Sequence, residues 1–145
     1  MKTLLQKHLK NQKGLTLIEL LAVVVILGII AAIAIPSIGA IIDNTRKDAH
    51  IANAEQMVNA TKTAVATNVG DGKEYSLSQL VEAGLIENPD IPGKGGKYGT
   101  GTVKITTENN NKIYTVTLDK FIENKTITQL RGKGDGEGRK AVTIN

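Results

Sequence analysis

Cysteine is absent from the 145 residues. That excludes a disulfide framework, a thiolate metal site and a lipidated cysteine anchor. Aromatic residues are almost absent: Tyr75, Tyr98, Tyr114 and Phe121 are the full set. Four rings give little scope for stacking single-stranded nucleic acid. Histidine occurs twice, as His8 and as His50. Neither has a cysteine or a second histidine at ligand spacing, so no metal site is expected. The glycine-rich stretch 93–101 contains Lys94 and Lys97 but no Gly-Lys-Ser/Thr, so it is no phosphate cradle. Asp135 and Glu137 between glycines read as a solvated loop rather than a calcium site. The triplet Asn124-Lys125-Thr126 matches a glycosylation acceptor by a pattern that is common by chance. No nucleophile, base and orienting acid can be assembled, so neither catalytic residues, cofactor nor enzymatic activity is expected.

Acidic residues are missing from the first fourteen positions, which carry Lys2, Lys7, Lys10 and Lys13. Taking those four lysines from the 18 basic residues leaves 14 against 14 acidic ones. The net charge of +4 therefore belongs to the leader. Nothing in it points to nucleic acid as a partner of the remainder.

What the chain does have is one long apolar run. Residues 15–42 are broken only by Thr16, Glu19, Pro36 and Ser37. Leu20 to Ile35 holds no polar side chain at all. Twenty-eight helical residues reach ~42 Å, and about twenty cross a bilayer. The flanking lysines predict that the N-terminus stays in the cytoplasm and the C-terminus lies outside. Glu19 is the anomaly, because a carboxylate is costly in lipid and needs a reason.

Three readings of this run compete. A secretory signal peptide would use Ala32-Ile33-Ala34 or Ser37-Ile38-Gly39 as its cleavage site, but its apolar core is normally shorter and holds no acid. A plain one-pass anchor holding a monomeric external domain fits the length and the charge bias, but gives Glu19 and Gly14 no role. The third reading takes Lys13-Gly14-Leu15-Thr16-Leu17-Ile18-Glu19-Leu20 as a unit. That string resembles the class III signal of type IV pilins and pseudopilins. A glycine, an apolar residue, an acid at the fifth position and an unbroken apolar tail must all coincide. Gly28 and Pro36 match further positions that such pilins commonly carry. The resemblance is strong over residues 1 to about 42 and weaker beyond.

The resemblance implies a cleaved leader (1–14), a transmembrane and filament-core helix (15–42) and an extracytoplasmic globular domain (43–145). It implies cleavage between Gly14 and Leu15 by a prepilin peptidase, and N-methylation of Leu15. Many members begin the mature chain with phenylalanine, and Leu15 departs from that while staying apolar. The implied partners are further copies of the chain, that peptidase, the membrane, and an assembly platform with its ATPase. The implied product is a pilus on the cell surface. A pseudopilin of a type II secretion or competence DNA-uptake system is the alternative. In either, Glu19 would meet the ammonium of Leu15 on a neighbour, offsetting two desolvation penalties and fixing axial register. Leu15 and Glu19 are also four apart, so pairing within one helix competes. Gly28 and Pro36 imply a kink or non-helical patch in the assembled state.

Beyond residue 42 the helical period continues. Ile51, Ala54, Val58, Thr61, Val65 and Val69 predict one apolar stripe, with His50 on the polar side. One helix is expected over roughly 16–69, ended by Gly70-Asp71-Gly72. Ser76 to Gln79 reads as a capping box that opens a short helix closed by Gly84. Residues 88–101 read as loop. Strands follow around Val103–Ile105 and Ile113–Leu118, joined by a turn at 108–111. A third strand is expected near 124–131, a mobile loop at 132–138 and an edge strand at 141–144. The predicted fold is α+β: a long N-terminal helix packed on a small antiparallel sheet.

Overall fold

The computed structural model describes residues 2–132 and 137–144, and of residues 2–15 the backbone alone. The chain divides into two compact units, one ending at Ile41 and one beginning at Ile42. Helix α1 runs Lys2–Ala66. It starts earlier than expected because the leader is rich in leucine, lysine and glutamine, all good helix formers. It stops three residues sooner than expected because Asn68 turns left-handed (φ 55°). The amide of Val69 bonds back to the carbonyl of Ala64 at 2.9 Å.

In the second unit, α1 is joined by β1 (Glu74–Ser76), α2 (Leu77–Glu82), β2 (Gly101–Glu108), β3 (Asn111–Leu118), β4 (Ile122–Thr126) and α3 (Ile127–Leu130). The strands form one antiparallel sheet in the order β1-β2-β3-β4. The α+β architecture is as the sequence predicts. Strand β1 was not expected, since three residues are too few to show a period of two. The β2–β3 turn sits where expected. Asn109 and Asn110 both take positive φ, the conformation that matches a two-residue hairpin to the twist of its strands.

The α2 capping box is present on both sides: Gln79 N donates to Ser76 Oγ at 3.2 Å, and Ser76 N donates to Gln79 Oε1 at 2.9 Å. Gly84 (φ 68°) closes that helix, with the amide of Leu85 bonded to the carbonyl of Leu80.

The expected third strand is corrected in part. Strand β4 ends at Thr126, and Ile127–Leu130 is helical. Thr126 and Gln129 form a second capping box, and Ile127 and Leu130 have the three-residue spacing of a helix rather than a strand. The expected edge strand at 141–144 is absent. A 3-10 turn covers Gly138–Ala141, and Thr143 gives only one amide to the sheet region, bonded to Phe121 O at 2.9 Å. Most of the expected mobile loop, 133–136, lies outside the described residues.

The buried stripe of α1 is rotated from the predicted one. His50, Ala54, Met57, Val58, Ala60, Thr61 and Ala64 are buried, while Ile51 and Val65 flank the core and Val69 is exposed. Small residues dominate that stripe, so the sheet approaches the helix closely. At Gly101 a Cβ would lie 3.1 Å from Leu118, Leu77 and Met57 at once. Val103, Val116, Leu118 and Ile122 complete the core. Thr61 is satisfied inside it by donating to the Met57 carbonyl at 2.9 Å.

Candidate functional site

The five residues singled out by the sequence all lie on α1. Gly14 and Leu15 are helical in backbone. Glu19 follows Leu15 by four residues, one helical turn on, and is exposed. Every ion pair among the described residues lies at residue 43 or beyond. Gly28 has open space where a side chain would be. Pro36 sits inside the helix, where it supplies no amide for the carbonyl four residues earlier. The helix is continuous through Gly28 and Pro36 in the single chain.

The apolar segment covers nothing of its own. Its large side chains, from Leu17 to Ile42, are between 45% and 71% exposed. This is the one helix among the described residues long and apolar enough to cross a membrane. An exposed apolar surface of this extent marks a membrane or protein interaction face.

The second unit contains a cluster that sequence reasoning missed. His50 is 1% exposed, not on the polar face. Its ring stacks on Phe121 with centroids 4.2 Å apart, and Tyr98 meets both rings edge-on. Asn53 Nδ2 donates to the Tyr98 hydroxyl at 3.1 Å and to the carbonyl of Asp90 at 3.2 Å. The Tyr98 hydroxyl and His50 Nδ1 lie 2.6 Å apart and share a hydrogen bond. Burial pushes His50 below its ordinary 6.5. Burial also raises Tyr98 above 10.0, against the opposing hydrogen bond from Asn53. The early signal was the spacing His50-Ala54-Met57-Thr61-Ala64, which is as helical as the stripe read from branched residues alone.

Two forked ion pairs bind the C-terminal segment to α1. Arg131 donates to both oxygens of Glu55 at 2.5 and 2.9 Å. Arg139 donates to both oxygens of Asp48 at 2.6 Å. Those hydrogen bonds hold Glu55 below 4.5 and Asp48 below 3.8, against the upward effect of burial. The pairs join residues 76 and 91 apart in sequence, which no local pattern reveals. No group of metal-ligating side chains occurs among the described residues.

A prokaryotic N-terminal methylation motif matches residues 9–35. That interval holds Gly14, Leu15, Glu19 and Gly28. A type IV major fimbrial protein FimA of Dichelobacter nodosus is 38% identical over 110 residues, covering 68% of each chain. Another FimA of that organism is 36% identical over 99 residues, covering 68% of this chain and 56% of the relative. A fimbrial protein of Pseudomonas aeruginosa is 39% identical over 92 residues, covering 60% and 57%. The chain thus spans little more than half the length of several relatives it matches. No solved structure matches it.

Proposed function

The chain belongs to the type IV pilin family, and from that premise we propose that it is the structural subunit of a type IV pilus or pilus-like filament. It is inserted in the cytoplasmic membrane with its N-terminus inside. It is processed between Gly14 and Leu15 by a prepilin peptidase, methylated on Leu15, and polymerised through residues 15–42 by an assembly platform and its ATPase. The extracytoplasmic domain, 43–145, then faces outward on the cell surface. One observation carries this reading: the methylation motif falls on a helix whose apolar side chains are exposed around its whole circumference.

The chemistry is consistent with it. Cleavage removes four lysines and creates an ammonium at the edge of the apolar segment, and methylation keeps that nitrogen charged. Once helices bundle, Glu19 and a neighbour's Leu15 ammonium each need the other, since either alone would be a bare charge in low dielectric. Lipid is as apolar as leucine, so the bundle gains little from area alone. Gly28, Ala31, Ala32, Ala34, Gly39 and Ala40 supply small surfaces for close packing, and Gly28 and Pro36 supply a place to bend. A pseudopilin role uses the same chemistry, but the relatives named above are fimbrial proteins, which favours the pilus.

Intact mass and N-terminal sequencing of sheared surface fibres test the proposal. A chain beginning with methylated Leu15 is expected. Retention of Met1 would indicate a simple anchor, and a start near Ala40 an ordinary exported protein.

A further inference from the structure

Among the described residues, the outer domain carries charge of opposite sign, without ion-pair partners, in two separate patches. At the β3–β4 edge, a groove of about 390 Å³ is lined by Val58 and Lys62 of α1, Lys112 and Tyr114 of β3, and Ile127 of α3, and no acid lines it. The Lys62 ammonium lies 5.4 Å from the Tyr114 ring centre. Neither lysine has an ion-pair partner among the described residues. In the second patch, Glu74 lies on edge strand β1, Glu82 ends α2 and Glu87 follows it, all exposed and also without an ion-pair partner among the described residues. Lys73 and Lys104 temper that edge beside Glu74, and Glu123 lies on β4 outside the groove lining. Glu82 and Glu87 stand clear of such neighbours in sequence.

The sheet order places β1 and β4 at opposite ends, and no ion pair joins the two sets of charges within one domain among the described residues. We propose that the Lys62–Lys112 groove receives the Glu82–Glu87 segment of a second copy, forming the lateral contact between outer domains in the filament. This rests on the filament reading above. It adds an interface that the N-terminal helix does not supply. Two different patches that fit each other make a head-to-tail contact, the kind that propagates into an open helix rather than closing a dimer. The exposed parts of Val81 and Ile86 give the acidic segment an apolar side to set against half-buried Tyr114 and Ile127. The charges then fix register rather than supply most of the affinity.

Zero-length carbodiimide cross-linking of sheared wild-type fibres, read by peptide mass spectrometry, tests the contact. The reagent joins a lysine amine to a touching carboxylate with loss of water. The expected links join Lys62 or Lys112 to Glu82 or Glu87 in fibres, and are missing from detergent-dispersed monomer. Fibres in which those lysines stay unlinked, or link only to other carboxylates, overturn the contact and leave the filament reading intact. Absence of fibres from the cell overturns both. The charge reversal Lys62→Glu with Lys112→Glu is expected to cut fibre yield about fivefold. Adding Glu82→Lys and Glu87→Lys should restore it. Full yield from the reversed chain, or no recovery in a swapped chain that still unfolds at the wild-type temperature, counts against the proposal.

Discussion

Helix α1 contains two stretches with the same hydrogen-bond pattern and opposite surroundings. From Leu17 to Ile42 its large apolar side chains are all exposed. From His50 to Ala64 a stripe of mostly small residues is buried against the sheet. The first stretch is apolar all round, which suits a helix whose proposed surroundings are lipid or other helices. The second is apolar on one side because its partner is its own chain. Burial in the folded domain therefore says little about the function of this protein. The residues to which the proposed function is assigned are those the domain leaves uncovered.

Breaking the first stretch should abolish polymer without unfolding the domain. Glu19→Ala removes one member of the proposed buried pair, a loss of roughly 3–5 kcal/mol per contact. Fibres on the surface of cells carrying it should vanish, while membrane-bound subunit persists with an unchanged unfolding temperature. Normal fibres on electron micrographs would remove the role assigned to the acid.

Breaking the core against which the second stretch packs should do the reverse. Ile122 is fully buried, and Ile122→Ala should cost about 2–5 kcal/mol of domain stability, measured by denaturant unfolding of the full chain in detergent. A smaller effect separates His50 from the rest of the core. His50→Phe keeps the ring stack but removes the hydrogen bond to the Tyr98 hydroxyl, at about 1–3 kcal/mol. It should also flatten a pH dependence. Because burial depresses the folded pKa of His50, the unfolded chain binds the proton more readily. Stability is thus fully present above the ordinary 6.5 and declines as pH falls from there toward the folded value. Unfolding midpoints of wild type and variant between neutral pH and mildly acidic pH show whether the slope belongs to His50.

The smallest effect belongs to the forked pairs. Glu55→Gln with Asp48→Asn should lower the midpoint by a few degrees at neutral pH, since these side chains are partly solvated. Both carboxylates are depressed in the fold, so their contribution is present above 4.5 and 3.8 and disappears as pH drops through those values and below. In strong acid the variant and wild type should converge.

The sequence revealed most where a pattern was dense. The apolar run, the capping box at Ser76 and Gln79, and the hairpin at Asn109-Asn110 are all local signals, and each lies where it was read. The pairing of Arg131 with Glu55 and of Arg139 with Asp48 was hidden because sequence separation conceals contact. His50 was misplaced because a polar ring was assigned to the polar face. Its partner Tyr98 lies 48 residues away, and that hydroxyl satisfies Nδ1 of the buried ring. Helix α3 was misread because two apolar residues in a short window fit either period.

A reconstruction of the filament at side-chain resolution tests the central claim most directly. The Glu19 carboxylate of one subunit is expected within about 4 Å of the Leu15 nitrogen of a neighbour. A carboxylate buried among helices with no cationic terminus near it would contradict that claim.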